Sequence, residues 1–284
     1  MEEFGDNYKK GYLKEDFKFF HLKDNKDMDF KYHYHDFNKI IIFISGDVTY
    51  LIEGKAYKLK PLDMLLVNSN AIHKPVINSE KTYERIVIWV NSSFLNRHNS
   101  KNTNLLNCFQ IAQREKFNLF RLDDEDNSIL RELLSSLENA CFDTEFGSEV
   151  LRNSIFLQFI VYINRLFLGG IDSKVLVDVK YDEDINKILE YINKNLKEDL
   201  SINSLASRFY LNKYYLMHKF KEHTGVTVHK YVQNKRLIMA KDLIEKGKNI
   251  SLVCAICGFG DYSNFIRSFK KFFGMAPKSY YKKK

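Results

Sequence analysis

No stretch of this sequence is apolar for long enough to cross a bilayer. The most apolar run, Ile155–Leu168, is about 14 residues and is interrupted by Gln158, Asn164 and Arg165. A spanning helix needs roughly 20, so this run reads as a core or interface helix. The first residues, Met-Glu-Glu-Phe-Gly-Asp, lack the basic stretch and apolar centre of a secretory signal. Cysteine is scarce: four in 284 residues, without disulfide-like spacing, which suits a reducing compartment. Cys254-x-x-Cys257 has neither a second pair nor a nearby histidine, and reads as two buried cysteines of a short helix. Catalytic signatures are missing too: no Gly-x-Ser-x-Gly elbow, no phosphate-cradling Gly-rich loop, no His-Glu-x-x-His. The expectation is a cytoplasmic chain with no membrane span, no catalytic residues and no cofactor.

What is present is a globular composition, 45% apolar with 23 Phe and 17 Tyr, long enough for two domains. The charge is unevenly placed. Residues 182–284 carry 20 Lys/Arg against 10 Asp/Glu, whereas residues 1–181 carry 24 against 26. In residues 201–284 the balance is 17 against 4. Positive charge gathered in one segment is the footprint of a nucleic-acid or anionic-membrane partner. The membrane reading is the poorer one, because the apolar stripes of this segment are needed for helix packing.

The first part has the rhythm of β-structure. Short apolar and β-branched runs at Phe17–Phe20, Met28–Tyr34, Ile40–Ile44, Val48–Ile52, Tyr57–Leu59, Met64–Val67 and Tyr83–Val90 alternate with turn signals such as Ser45-Gly46-Asp47 and Glu53-Gly54-Lys55. Such spacing predicts a barrel or sandwich. From Asp123 the period becomes helical: Leu130, Leu133, Leu134, Leu137 and Cys141 recur on one stripe, then Leu151, Ile155, Phe159 and Ile163 on another. These two helices either cover the barrel or pair with a second subunit. Gly169-Gly170 and the polar stretch after it read as a linker, beyond which everything reads helical.

That last segment contains an internal repeat. Phe220-Lys221-x-x-x-Gly225-x-x-x-x-x-Tyr231 matches Phe269-Lys270-x-x-x-Gly274-x-x-x-x-x-Tyr280 at an offset of 49 residues. Each copy has a short helix (Ile202–Phe209; Ile250–Cys257), a turn, a strong N-cap residue (Asn212; Asp261) and a helix of about three turns. Leu216 with Phe220, and Phe265 with Phe269, stand at i,i+4 and face the core. The opposite face carries Lys213, Tyr214, Met217, His218 and Lys221 in the first copy, and Tyr262, Ser263, Ile266, Arg267 and Lys270 in the second. This is the grammar of a helix-turn-helix, whose second helix enters the major groove. A long helix over Val228–Lys246 separates the copies and would fix their spacing, so that they reach successive grooves about 34 Å apart.

Arg267 is the candidate for direct base reading, since its fork matches guanine O6/N7; a phosphate clamp is its alternative. Lys221, Lys270 and Lys271 read as phosphate neutralisers, and Lys282–Lys284 either share that role or form a solvated tail. Tyr214 either touches DNA or packs at the turn. The first recognition helix is poor in arginine, so Tyr214, Met217 and His218 point to apolar contact with thymine methyls more than to guanine hydrogen bonding.

Over 182–284 the sequence resembles the AraC/XylS transcriptional regulators, through Leu205-Ala206, Phe220-Lys221, Gly225, Arg236-Leu237, Ala240, Ile250, Gly258-Phe259, Asp261, Phe265, Phe269-Lys270, Gly274, Pro277 and Tyr280. It departs from the family at Val253-Cys254, where Ile-Ala is usual. The resemblance implies a double-stranded DNA partner and activation through contact with RNA polymerase. The β-rich part is similar, more loosely, to the cupin-type sensor domain of many members, through His33-Tyr34-His35, Gly46, Gly54, Leu62-Asp63-Met64 and His73-Lys74-Pro75. Metal-binding cupins follow the His-x-His pair with a glutamate four residues on, and here that position is Lys39, an ammonium that would repel a cation. His33, His35 and His73 are therefore read as the lining of an organic-ligand site, with a metal site or plain structural histidines as alternatives. Lys39 and Arg85, where they point inward, favour an anionic or hydroxyl-rich ligand, walled by Tyr50, Ile52 and Trp89.

The reading is thus an α+β multidomain chain. A cupin-like β-barrel spans 1–122, a helical linker or dimerisation segment 123–180, and an all-α domain with two helix-turn-helix units 181–284. The expected function is a DNA-binding regulator, an activator by resemblance, responding to a small-molecule effector and able to form a homodimer. A metal-dependent cupin enzyme with a DNA-binding tail and a ligand-independent regulator are the rivals.

Overall fold

The computed structural model describes residues 13, 15–24, 30, 32–78, 80–122, 124–169, 179–180 and 182–281. Its chain divides into two compact units, Met1–Ile52 with Ala56–Lys180, and Glu53–Lys55 with Tyr181–Lys284. No helix of the described residues is long and apolar enough to cross a membrane.

The first unit holds two sheets. One has the order β1-β7-β2-β5-β8, from β1 (Phe17–Asp24), β7 (Tyr83–Val90), β2 (Asn38–Ser45), β5 (Met64–Val67) and β8 (Leu119–Phe120); the other runs β6-β3-β4-β9, from β6 (His73–Ile77), β3 (Val48–Ile52), β4 (Lys55–Lys58) and β9 (Val179–Lys180). All pairings recorded are antiparallel. Strand β2 shows how the sequence sets the layers. Its run of isoleucines is buried on both faces, because successive side chains point opposite ways. Ile40 and Ile42 enter one core, while Ile41 and Phe43 enter the other.

The outer core is closed by helices. α1 (Ser92–Arg97), α2 (Asn107–Arg114), α3 (Asp124–Phe142) and α4 (Ser148–Leu168) bring Phe94, Phe109, Leu130, Leu134, Phe156, Phe159 and Ile163 against Phe17, Ile40 and Ile88. Phe17 stacks on Phe156 with ring centroids 3.9 Å apart. Buried Asn164 ties α4 to α2 by accepting from the Cys108 N–H and donating to the Leu105 carbonyl. The helices expected over 123–168 therefore share one hydrophobic core with the larger sheet.

Several elements differ from the sequence reading, which has no counterpart for α1, α2, β8 or β9. The expected strand Met28–Tyr34 falls partly outside the described residues; in its described part His33 alone pairs, as an isolated bridge to His73. Conversely, β6 lies where the sequence reading has no strand; it is an edge strand of the second sheet, a place that tolerates Pro75, which cannot donate to a ladder.

The second unit is all helical: α5 (Glu183–Lys194), α6 (Ile202–Arg208), α7 (Lys213–Thr224), α8 (Val228–Glu245), α9 (Ile250–Ile256), α10 (Tyr262–Phe273) and α11 (Pro277–Tyr281). Asp182, Ser201, Asn212, Thr227, Asn249 and Asp261 each cap a helix with a side-chain oxygen accepting from the first turn. Pro277 opens α11, where its missing N–H would have no intrahelical partner. Cys254 and Cys257 are both free and buried in this unit.

Candidate functional site

The repeat seen in the sequence folds into two helix-turn-helix units with the same internal contacts. Leu216, Phe220, Phe265 and Phe269 are fully buried. Phe220 meets Tyr231 edge-on at 5.5 Å and 81°, and Phe269 meets Tyr280 at 5.6 Å and 81°. Both second helices, α7 and α10, end on a left-handed glycine, Gly225 and Gly274, whose N–H returns to Lys221 and Lys270. Helix α8 joins the units and buries Val228, Tyr231, Val232, Leu237, Ala240 and Ile244. Its Arg236 reaches across to the Leu196 and Glu198 carbonyls at 2.8 and 2.7 Å.

On α7, Lys213, Tyr214, Met217, His218 and Lys221 are exposed; on α10, so are Tyr262, Ser263, Arg267 and Lys270, while Ile266 is half-buried. Tyr214 is 76% exposed, so it does not pack at the turn. Lys282–Lys284 lie outside the described residues. Each set forms one polar, cationic and aromatic helix face, with Lys271 of α10 exposed beside it. Such a face can place a helix against the duplex, where cations meet phosphates and side chains meet base edges.

The turns of the two units are not identical, and the sequence reading missed this. The recognition helices are 49 residues apart, but α6 and α9 are offset by 48, so the second turn is one residue longer. The left-handed position after the first helix is Gly258 in the second unit, at φ +75°, and Tyr210 in the first, at φ +54°. A Cβ at Gly258 would sit 2.8 Å from the Leu196 carbonyl oxygen, so the close approach as well as the φ requires glycine. Tyr210 meets no such wall and is 95% exposed.

A second site lies in the first unit, a cavity of about 50 Å³ lined by His33, Lys39, Tyr50, Arg85 and Trp89, with Phe20, Leu22, Phe30, Ile41, Pro75, Tyr83 and Val87. Lys39 faces it because it shares the alternation of Ile41. Of the residues expected here, Ile52 is buried in the inner core and does not line the cavity. His35 and His73 stand just behind the wall, in ring contact with His33 at 6.0 and 4.3 Å. Trp89 packs on Phe20 and Phe37 at 4.8 and 4.7 Å.

The electrostatics of this cavity differ from the sequence expectation. His35 Nδ1 donates to the Phe37 carbonyl at 2.9 Å, and His73 Nδ1 donates to the Ala71 carbonyl at 2.8 Å. A carbonyl only accepts, so both protons are fixed on Nδ1 and both Nε2 atoms carry lone pairs. Burial first, then neighbouring cationic groups, holds both rings well below the usual histidine range. The Nε2 of His35 is buried without a hydrogen-bond partner among the described residues. That of His73 accepts from Lys39 Nζ at 3.3 Å. Burial, and secondarily Arg85, pushes Lys39 down to about 7. Arg85 itself is paired with Asp24 and lies over the Tyr83 ring.

The ligating atoms of His33, His35 and His73 fall within 4.8 Å of one another, a spacing that a divalent transition ion would need. The Lys39 head is in contact with this cluster and engages the His73 lone pair, so we read the imidazoles as hydrogen-bond acceptors. An anion, for which Lys39 and Arg85 argue in the sequence, would find Arg85 already paired with Asp24.

Known proteins resemble both units. Residues 19–155 match the model of the AraC-like ligand binding domain, and residues 205–283 match a helix-turn-helix domain. The probable transcriptional regulator LumQ of Photobacterium leiognathi is 28% identical over 254 residues, 88% of this chain and 91% of that protein. The HTH-type transcriptional activator RhaS of Escherichia fergusonii is 23% identical, covering 88% and 86%. Among solved structures, an apo ToxT variant of Vibrio cholerae aligns over 93% of this chain and 96% of its own at 20% identity, with a TM-score of 0.38. The sensor-domain match, the helix-turn-helix match and relatives spanning most of the chain agree: both units of this chain match those of the AraC-type transcriptional regulators.

Proposed function

We propose that the chain is a sequence-specific activator of transcription whose DNA binding is set by a small molecule held in the barrel cavity. The observation that carries the first half is the pair of matched recognition helices, α7 and α10, with exposed faces on one repeated scaffold. Arg267 reads a guanine; Lys213, Lys221 and Lys270 meet phosphates; Tyr214, Met217, His218, Tyr262, Ser263 and Ile266 contact base and sugar edges. The effector half rests on the cavity and on the unpartnered buried acceptor just behind its wall, His35 Nε2. An effector acts by binding two arrangements of the protein with different affinities. Activation through RNA polymerase is drawn from the likeness to RhaS, which is named an activator. The chain works in the cytoplasm, where its DNA target is. Phe142, Phe146 and Val150, strongly exposed where α3 gives way to α4, support pairing with a second copy. A metal-dependent enzyme loses support, because Lys39 is engaged with His73 at the position the ion would need.

The test is selection of bound duplexes from a random DNA pool by the full-length protein at about physiological salt. Two enriched blocks about one helical turn apart are expected. Strong binding with no motif would replace sequence-specific regulation with a non-specific clamp.

A further inference from the structure

Lys39 is an unusual lysine. It is buried at 5% exposure, lines the cavity, and among the described residues its hydrogen bond runs to the His73 ring. Among those residues no carboxylate stands within ion-pair distance of it, and the nearby Asp24 is taken by Arg85. An unpaired ammonium in such a place is strongly disfavoured, and a chain that keeps a lysine there holds it readily as the neutral amine. Its depression to about 7 by burial and by Arg85 agrees. A neutral amine in an apolar pocket beside a second cationic group is the condition under which lysine becomes a nucleophile.

We propose that Lys39 captures its effector covalently, as a reversible imine with a small aldehyde or ketone bearing a hydroxyl group. The inference rests on the reading of the cavity as the effector site, and it names the chemical class. The size fits: about 50 Å³ holds about four waters, which is room for a compound of about five non-hydrogen atoms. The polar lining fits as well. His35 Nε2, just behind the wall, is a buried acceptor without a partner among the described residues, which a ligand hydroxyl can satisfy and a carboxylate cannot. The step balances without any redox partner. The amine nitrogen adds to the carbonyl carbon, and one N–H proton passes to the carbonyl oxygen, with His73 Nε2 placed to relay it. The resulting carbinolamine loses water as the C=N bond forms. Amine and carbonyl compound give imine and water, and hydrolysis returns both.

The experiment uses the full chain with hydroxyacetone as probe and cyanoborohydride as hydride donor, which turns an imine into a stable secondary amine. Peptide mass mapping then reads which lysines are modified and how fast. Lys39 is expected to be modified at least about tenfold faster than exposed lysines such as Lys60 and Lys213, since far more of it is unprotonated near pH 7. Lys39→Met and Lys39→Arg should abolish that fast site and leave the slow background. If the wild-type protein shows only uniform slow labelling, or fast labelling that survives Lys39→Met, the imine proposal is overturned, and the effector reading stands untouched. If Lys39 is labelled selectively while binding to the selected duplex does not change, the imine chemistry holds and control of DNA binding through this cavity fails. Mapping the wild-type chain decides the matter even where a variant does not fold.

Discussion

The barrel and the helical unit handle their polar side chains in opposite ways. In the helical unit Lys213, Lys221, Arg267 and Lys270 stand in water on scaffold helices whose cores are mainly apolar, so folding spends nothing to desolvate them. In the barrel Lys39, His35 and His73 are buried with few partners, and each opposes the folding that holds it. The first arrangement can exchange residues on its surface without changing the fold, which suits a face that reads a sequence. The second gives up stability to preorganise a small set of atoms, which suits a site for one ligand. The difference makes separable predictions: substitutions in the barrel move stability, and those on the recognition faces move affinity alone.

The largest effect is expected at Lys39. Its folded value of about 7 lies below the unfolded value of about 10.4, so between those limits the unfolded chain binds more protons. Stability of the barrel therefore rises with pH across that window, and the burden is heaviest at or below about pH 7. Lys39→Met removes the titrating group, keeps the volume, and should stabilise the barrel at pH 7 by about 3 kcal/mol. The gain should shrink as the pH approaches 10. Denaturant midpoints of both proteins at several pH values measure it. A constant difference across the window would mean that Lys39 is not held in a perturbed state, and the contrast between the two regions would fail. On the acid side, His35 and His73 lower stability as pH falls through the unfolded histidine range, because only the unfolded chain takes up their protons readily.

The same contrast explains what could be read in the sequence. Devices that work through spacing were visible: the i,i+4 pairs Leu216/Phe220 and Phe265/Phe269, the caps Asn212 and Asp261, the glycines Gly225 and Gly274, and the stripe of α3; of the stripe expected on α4, Phe159 and Ile163 are buried whereas Leu151 is exposed. Each follows from local periodicity or a local hydrogen bond. The barrel chemistry depends on what meets across sheets. Nothing near His35 or His73 in sequence says that a backbone carbonyl two residues away fixes its tautomer, and nothing near Arg85 points to Asp24, 61 residues earlier. That Lys39 points inward follows from its alternation with Ile41, but which core that face joins is a tertiary fact. Strand β6 is hard to read for a related reason: its Pro75 is excluded from inner strands and permitted at an edge, and edges are not marked in a sequence.

On the exposed side, Arg267→Ala should lower specific affinity by about 1–3 kcal/mol and relax the preference at one base position. Its effect on stability should stay within about 0.5 kcal/mol, as for surface substitutions generally. Fluorescence anisotropy with the selected duplex and its single-base variants, paired with a denaturation curve, separates the two quantities. A uniform loss of affinity across all variants would assign Arg267 to a phosphate. A large loss of stability would show that this face is not independent of the fold, and would weaken the contrast from the other side.

The smallest effect tests whether the helical unit also stores a cost. Tyr210 adopts a left-handed φ of +54° in the turn before α7, where the second unit has Gly258. A bulky residue there is disfavoured by about 1 kcal/mol, whereas asparagine tolerates the region well. Nothing in the packing demands the ring, which is 95% exposed. Strain of this kind persists where a side chain is wanted for another purpose, and the turn leads directly into the first recognition helix. Tyr210→Asn should therefore raise stability by up to about 1 kcal/mol and weaken DNA binding, the ring having supplied contact to the duplex backbone. Gaining stability with affinity unchanged would make the tyrosine a tolerated flaw and leave the barrel as the only region where stability is exchanged for a site. Gaining stability while losing affinity would place one such exchange in each unit, in burial for the barrel and in backbone conformation for the DNA-reading turn.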